Sequence, residues 1–298
     1  MRRKVLLSRK KKASRRRNRH LGTRSLRKHR GGGGKTVVFT LTSSAGFGSV
    51  FGFLLQSYIY AKKNGYKFVI KENGWNYTHS KGWHDHFKSL EEYDSSANYG
   101  QQENYSHGSV GGIPKYTFGE YRDAMKEVFV LNDDLKARAQ SFIDRIGGPY
   151  VSIYVRRGDK VHITTKEMDA IDLNLLIKDI GIQDGNVFVM TDDYSVVEEL
   201  KKLLPACKIF TMTEPMSRGA VHAVLRSNAP HERNIHAEEL LSSIEVFNRG
   251  EKGWAENRSN IGRMLKLYGG DKIVLYPISD ISKDIPLDRV VDPPNKPF

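Results

Sequence analysis

Short apolar runs alternate along this chain with longer stretches in which apolar residues recur every three or four positions. The runs at 36–41, 67–70, 150–155, 186–190, 208–212 and 272–275 are rich in β-branched and aromatic residues and predict strands. The stretches near 49–64, 133–146, 168–180, 195–203, 236–248 and 259–268 predict helices. Strand and helix in alternation predict parallel sheets covered by helices, an α/β fold. Residues 94–112 are polar, rich in Ser, Tyr, Asn, Gln and Gly, and contain no Lys or Arg; they predict a long surface loop. Gly147, Gly148 and Pro149 would stop a helix just before a strand, the best domain boundary in the chain. The expected organisation is a tail over 1–35, an N-terminal α/β lobe over 36–147 and a second lobe over 148–298, without internal repeats.

One stretch, 36–61, carries no charged residue. Its apolar residues fall into two runs, 37–41 and 50–61, with Thr42, Ser43, Ser44, Gly46, Gly48 and Ser49 between them. Runs of that length are more often buried core than a membrane span, so the stretch predicts strand, loop and helix.

Charge changes the picture at one end. The chain has 298 residues, with 48 Lys+Arg against 34 Asp+Glu. Fifteen of the basic residues and no acidic ones lie in the first thirty positions, leaving 33 basic against 34 acidic elsewhere. The basic character therefore belongs to the tail, which reads as disordered because like charges at that density repel and bury nothing. Such a tail suits contact with an anionic membrane or nucleic acid. It gives no reason to read the folded part as a nucleic-acid domain. Cys207 is the single cysteine, so no intramolecular disulfide can form. A reducing, cytoplasmic setting is expected, with membrane association through the basic N-terminus as the alternative. Gly31 to Gly34 followed by Lys35 and Thr36 imitates a phosphate loop. The position five before Gly34 is His29, however, and the run precedes a strand, so it reads as a hinge.

Three segments carry chemistry. The run Val151-Ser-Ile-Tyr154-Val-Arg156-Arg157-Gly-Asp-Lys160 is an apolar strand that ends abruptly in two guanidiniums. Ligands of open α/β sheets bind beyond the carboxyl ends of strands, and arginine forks suit phosphate. One arginine should face the cleft and the other brace the loop through Asp159 or a carbonyl; the plain alternative is a surface Arg–Asp pair. Thr42-Ser-Ser-Ala-Gly46-Phe47-Gly48-Ser49 lies between the first strand and a helix, where glycines let backbone amides approach an anion. A tight turn is its alternative. Glu256-Asn-Arg-Ser259-Asn260-Ile-Gly-Arg263 opens a helix, where Ser259 either joins an anion site or is an N-cap and nothing more.

Together these segments resemble the α-1,6-fucosyltransferase family. That family's His-Val-Arg-Arg-x-Asp-Lys strand is similar to Tyr154-Val-Arg-Arg-Gly-Asp-Lys160, and its Gly-Tyr-Gly loop to Gly46-Phe47-Gly48. Its Asn-Trp-x-Tyr and Gly-Gly-Trp segment is similar to Gly74-Trp75-Asn-Tyr77 with Gly82-Trp83, and its Ala-Thr-Asp-Asp-Pro-Ser to Met190-Thr-Asp192-Asp193-Tyr-Ser195. The late Ser-Ser-x-x-x-Arg element matches Arg258-Ser259-Asn260-Ile-Gly-Arg263 less closely. The resemblance spans residues 37–276.

The resemblance implies a two-lobed, GT-B-like glycosyltransferase with a Rossmann-like C-terminal lobe that binds the nucleotide sugar. It implies inverting transfer of fucose from GDP-fucose to a glycan acceptor, with no metal and no other cofactor. Arg156 would bind the diphosphate with Arg157 beside it. Gly46, Phe47, Gly48, Ser259, Asn260 and Arg263 would line it, and Tyr77 would lie against the nucleotide. Asp192 and Asp193 would contact ribose or cap the following helix. Lys160 would share the cationic duty. Glu167, displaced about three positions from the family's proposed base, would take the acceptor proton, with Asp169 as substitute.

The sequence also departs from the family. The guanine-holding His is Tyr154, and the guanine-reading Asp falls on Ser243, with Glu245 the nearest acid. No segment matches the family's membrane anchor, stem or SH3-like domain, so a trimmed catalytic core is expected. The departures leave open a catalytically impaired nucleotide-sugar or glycan-binding protein, tethered by its basic tail. No two Asp residues stand one position apart, so the Asp-x-Asp of metal-using transferases is absent. Of the histidines, His84 and His86 beside Trp83 and Phe87 suggest an aromatic-polar lip, and the loop 94–112 with Trp75 and Trp83 could border the acceptor. His231 and His236 are five apart, one too many for a zinc pair on a helix.

Overall fold

The computed structural model describes residues 34–43, 45–158, 161, 169–219 and 227–276. The polybasic tail, Lys160 and Glu167 lie outside these residues. The first apolar run forms β1 (Thr36–Leu41), buried along almost its whole length. A short loop leads into α1 (Phe47–Asn64), which ends where Gly65 takes a left-handed conformation at φ 68°. The uncharged 36–61 stretch is therefore strand, loop and helix. Among the described residues no helix is long and apolar enough to cross a membrane.

Then follow β2 (Lys67–Glu72), β3 (Glu91–Glu92) and β4 (Gln102–Ser106). These join β1 in a parallel sheet of order β3-β2-β1-β4. The expected 94–112 loop thus contains a strand. β4 is polar because it is the sheet's edge, where one side faces solvent and no apolar run is needed. Two helices come next, α2 (Phe118–Val128) and α3 (Asp133–Ile146). α2 begins with a reciprocal cap between Thr117 and Glu120 and buries Tyr121, Ala124, Met125 and Val128, one helical stripe. Asn132 caps α3 through the Leu135 N–H at 2.9 Å, and left-handed Gly147 ends it (φ 71°).

The second sheet contains β5 (Tyr150–Val155), β6 (Gly185–Thr191), β7 (Cys207–Phe210), β8 (Lys252–Glu256) and β9 (Ile273–Tyr276). Its helices are α4 (Leu173–Ile180), α5 (Tyr194–Leu203), α6 (Pro230–Arg249) and α7 (Asn260–Gly269). All pairings are parallel and the order is β7-β6-β5-β8-β9. β8 has no apolar run to announce it, yet all but its first residue are buried in the sheet interior.

Strand alternation divides the core. Ile153, Val155, Val187 and Val189 pack with α4 and α5 residues on one face of the second sheet. Tyr154, Phe188, Met190 and Ala255 point the other way. They join one apolar cluster that continues through Phe142 and Phe247 to Phe47, Phe39 and Leu41 of the first sheet.

Candidate functional site

In each sheet the strand order reverses once, between β1 and β4 in the first and between β5 and β8 in the second. Ligand crevices of open α/β sheets form at such reversals, past the carboxyl ends of the strands. The second reversal carries Arg156, directly after β5, and Glu256, at the end of β8. The first carries the glycine loop that opens α1 and the residues that follow β4. The two meet. A Cβ built on Gly48 would lie 3.0 Å from the Asn260 carbonyl carbon and the Ile261 nitrogen, so the N-terminal turns of α1 and α7 touch through backbone.

The Arg156 guanidinium pairs with Asp192 at 2.8 Å, a contact largely buried on both sides. Asp192 also accepts the Arg157 backbone N–H at 2.8 Å. One carboxylate thus holds the arginine loop at two points. Glu256, 1% exposed, accepts the Arg156 backbone N–H at 2.9 Å and the Arg258 guanidinium at 2.9 Å. Burial pushes its carboxyl above the ordinary range, against the pull of those two donors. The Arg157 guanidinium points to the Ile171 carbonyl at 3.5 Å, the bracing role expected for one of the pair. The Asp193 side chain accepts the Ser195 N–H at 2.9 Å and caps α5, so of the two readings for Asp193 capping is the one seen.

At α7 the N-cap is Ser259, but its hydroxyl makes no cap bond. It meets the Tyr154 hydroxyl at 2.9 Å instead, tying β5 to the helix start in a buried contact. Arg263 reaches back from α7 to the Asn257 carbonyl at 2.9 Å and the Asn260 side chain at 3.4 Å. At α1 the Tyr77 hydroxyl accepts the Phe47 N–H at 3.1 Å, capping a helix whose N-cap, Gly46, has no side chain to do so. Gly46, Phe47, Gly48, Tyr77, Tyr154, Ser259, Asn260 and Arg263 are therefore joined by direct contacts around the facing strand ends, and Arg156 is tied in through its backbone bond to Glu256. That arrangement offers an anion fixed cations and two converging helix starts.

Other expected residues lie elsewhere. Glu245 sits near the far end of α6, paired with Arg249 at 2.9 Å and accepting the Tyr268 hydroxyl at 2.6 Å. Its neighbour Val246 takes the hydroxyl of Tyr150, the first residue of β5. Glu245 thus stands at the amino-end edge of the sheet, roughly 20 Å of strand from Arg156. The helix direction decides this, and counting along the sequence does not show it. Ser243 is likewise buried within α6. Asp169 is exposed. Trp75 and Trp83 are 2% and 0% exposed and stack with Phe47, Phe51 and Phe87, so they are core rather than the border of an open site. His86 is fully buried, with its Nε2 against the Tyr77 carbonyl. Trp83, His86 and Phe87 of the expected aromatic-polar lip are therefore core packing, whereas His84 is exposed.

Two residues at the site had gone unassigned. His236 on α6 is in electrostatic reach of Arg156 and Asp192; burial first, then Arg156, holds its imidazole below the usual value. His107, directly after β4, meets the Ser49 hydroxyl at 2.9 Å. Both are brought in by tertiary structure, and no local motif marks them. Among the described residues, no three His, Cys, Asp or Glu side chains gather as metal ligands.

No known protein family and no curated protein sequence matches the chain. Solved structures do. The NodZ α-1,6-fucosyltransferase soaked with GDP-fucose superposes with a TM-score of 0.55 at 12% identity, over 83% of this chain and 96% of that one. The same enzyme co-crystallised with GDP gives 0.51 at 12% identity, over 79% and 92%. A fucosyltransferase NodZ from Bradyrhizobium gives 0.51 at 12%, over 79% and 92%. The shared property is the fold: two parallel α/β sheets in a fucosyltransferase-like, GT-B-like arrangement.

Proposed function

We propose that the chain is a glycosyltransferase that moves fucose from GDP-fucose to a glycan acceptor, with inversion and without a metal. One observation carries the reading. Three anion-suited segments far apart in sequence, around Gly48, Arg156 and Ser259, are contiguous at the strand-order reversals of a fold shared with enzymes of that activity. In this reading residues 148–298 form the donor lobe and 36–147 the lobe facing it.

The chemistry follows from the leaving group. A nucleoside diphosphate departs as an anion and needs fixed positive charge more than a proton. Arg156, oriented by Asp192, supplies that charge, with the N–H groups that open α1 and α7, while Arg157 beside it braces the loop. Ser259, Asn260 and Arg263 line the diphosphate, and Tyr77 and Tyr154 flank the nucleotide. The sugar passes through an oxocarbenium-like state, as in glycoside hydrolysis.

The test is GDP release from GDP-fucose in EDTA. The wild type should turn over and Arg156→Ala should lose about 100-fold or more, since its charge acts on the departing group. Equal turnover in the two would count against the reading. A second reading, a nucleotide-sugar-binding protein without turnover, is favoured by two observations. Tyr154 replaces a histidine and is engaged with Ser259, and Glu245 is remote. It predicts GDP binding but no transfer to any glycan.

A further inference from the structure

We propose that His236 is a second ligand of the donor's diphosphate, and that it binds the anion as imidazolium. The assignment rests on the placement of the diphosphate given above, which the transfer and binding readings share.

The course of α6 places His236 at the crevice. α6 ends at Arg249, and β8, parallel to β5, starts three residues later, so the helix runs antiparallel to β5. Near its far end the Val246 carbonyl accepts the Tyr150 hydroxyl at 2.6 Å, which sets that end over the start of β5. From Val246 back to His236 the helix covers roughly 15 Å. From Tyr150 on to Arg156 the strand covers roughly 20 Å. Both residues therefore stand at the carboxyl end of the second sheet. The next residue, Ala237, is fully buried in the core, whereas His236 keeps part of its surface open.

Among the described residues, the charged groups that act on the His236 ring are Arg156, after β5, and Asp192, after β6. Asp192 is already engaged by the Arg156 guanidinium and the Arg157 N–H, both at 2.8 Å. On α6 itself, Glu238 turns to Arg138 of α3 at 3.1 Å, and Glu239 faces Glu214 and Arg138. Arg233, one turn before His236, has a buried Nε with no hydrogen-bond partner. Burial and the Arg156 cation keep the imidazole neutral. A diphosphate held by Arg156 offsets that cation and adds negative charge beside the ring, so the ring takes a proton from solvent. The imidazolium then donates an N–H to a phosphate oxygen and adds positive charge on the departing group.

GDP-fucose is the probe, because both its phosphates are esterified and do not titrate near neutral pH. Calorimetry at pH 6 and pH 8 measures its affinity for the full chain and for His236→Gln, which keeps a hydrogen-bond donor and loses the charge. The wild type should bind about fivefold or more tightly at pH 6 than at pH 8, and His236→Gln should vary by less than about twofold. Wild-type titrations at pH 7 in two buffers of different ionisation enthalpy should show uptake of about half a proton or more on binding, a measurement that needs no variant. Binding without proton uptake would overturn the assignment. So would a His236→Gln chain that keeps the wild-type pH dependence, which would mark a structural role. A wild type that binds with this pH dependence yet releases no GDP would support the assignment and overturn the transfer reading alone.

Discussion

Asp192 is the residue through which the arginine loop acquires its shape, because its two oxygens serve one side chain and the neighbouring backbone amide. Arg156 itself was legible in the sequence, since an apolar strand that stops at two guanidiniums announces a ligand edge. Its partner was not, because the contact joins residues far apart in the chain. Titration behaves similarly. Glu239, half-buried on α6, has its carboxyl raised to about 7, first by burial and then by Glu214, against the pull of Arg138. The folded chain therefore keeps a proton there that the unfolded chain releases near the usual 4.5. The stability this group contributes is fully present below about pH 4.5 and is lost as pH rises through about 7. Glu239→Gln removes that slope. Thermal melts should show the variant gaining on wild type between pH 5 and 8, and parallel curves would refute the shift.

At the scale of elements, strands with uninterrupted β-branched and aromatic runs announced themselves, and β1 and β5 fall where expected. β4 and β8 did not, for opposite reasons. An edge strand needs no apolar face, and a five-residue interior strand containing Lys, Gly and Glu shows no run. α2 was missed, because the charged residues between Tyr121, Ala124, Met125 and Val128 hide the helical spacing of that stripe. The contact of the α1 and α7 starts is a property of two elements, and two glycines test it. Gly48→Ala places a methyl 3.0 Å from the Asn260 and Ile261 backbone, whereas nothing lies within 4 Å of a Cβ at Gly46, whose φ of −67° suits alanine. Gly48→Ala should cost about 1–3 kcal/mol in stability and weaken GDP binding. Gly46→Ala should cost less than about 1 kcal/mol, the loss of a glycine N-cap, as urea melts would show.

For the whole molecule, charge and fold separate. The first thirty residues hold fifteen basic side chains, while the rest of the chain is near neutral. Every residue of the site described above lies beyond position 45. Removing residues 1–33 should leave GDP affinity unchanged while abolishing retention on anionic vesicles at about 0.15 M salt, where screening already weakens diffuse attraction. A loss of GDP affinity would assign the tail to the site.

The close approach of Gly158 and Gly219 has a consequence of its own. Gly158 follows the arginine pair at φ 56°, and Gly219 lies against it at φ 91°, so near that a Cβ there would fall 2.4 Å from the Gly158 Cα. The Gly219 N–H donates to the Asp192 carbonyl at 2.9 Å. Whatever stills the loop must also still that amide. Its deuterium uptake should slow when GDP is added, so a half-buried glycine beside the arginine loop serves as a native reporter of occupancy.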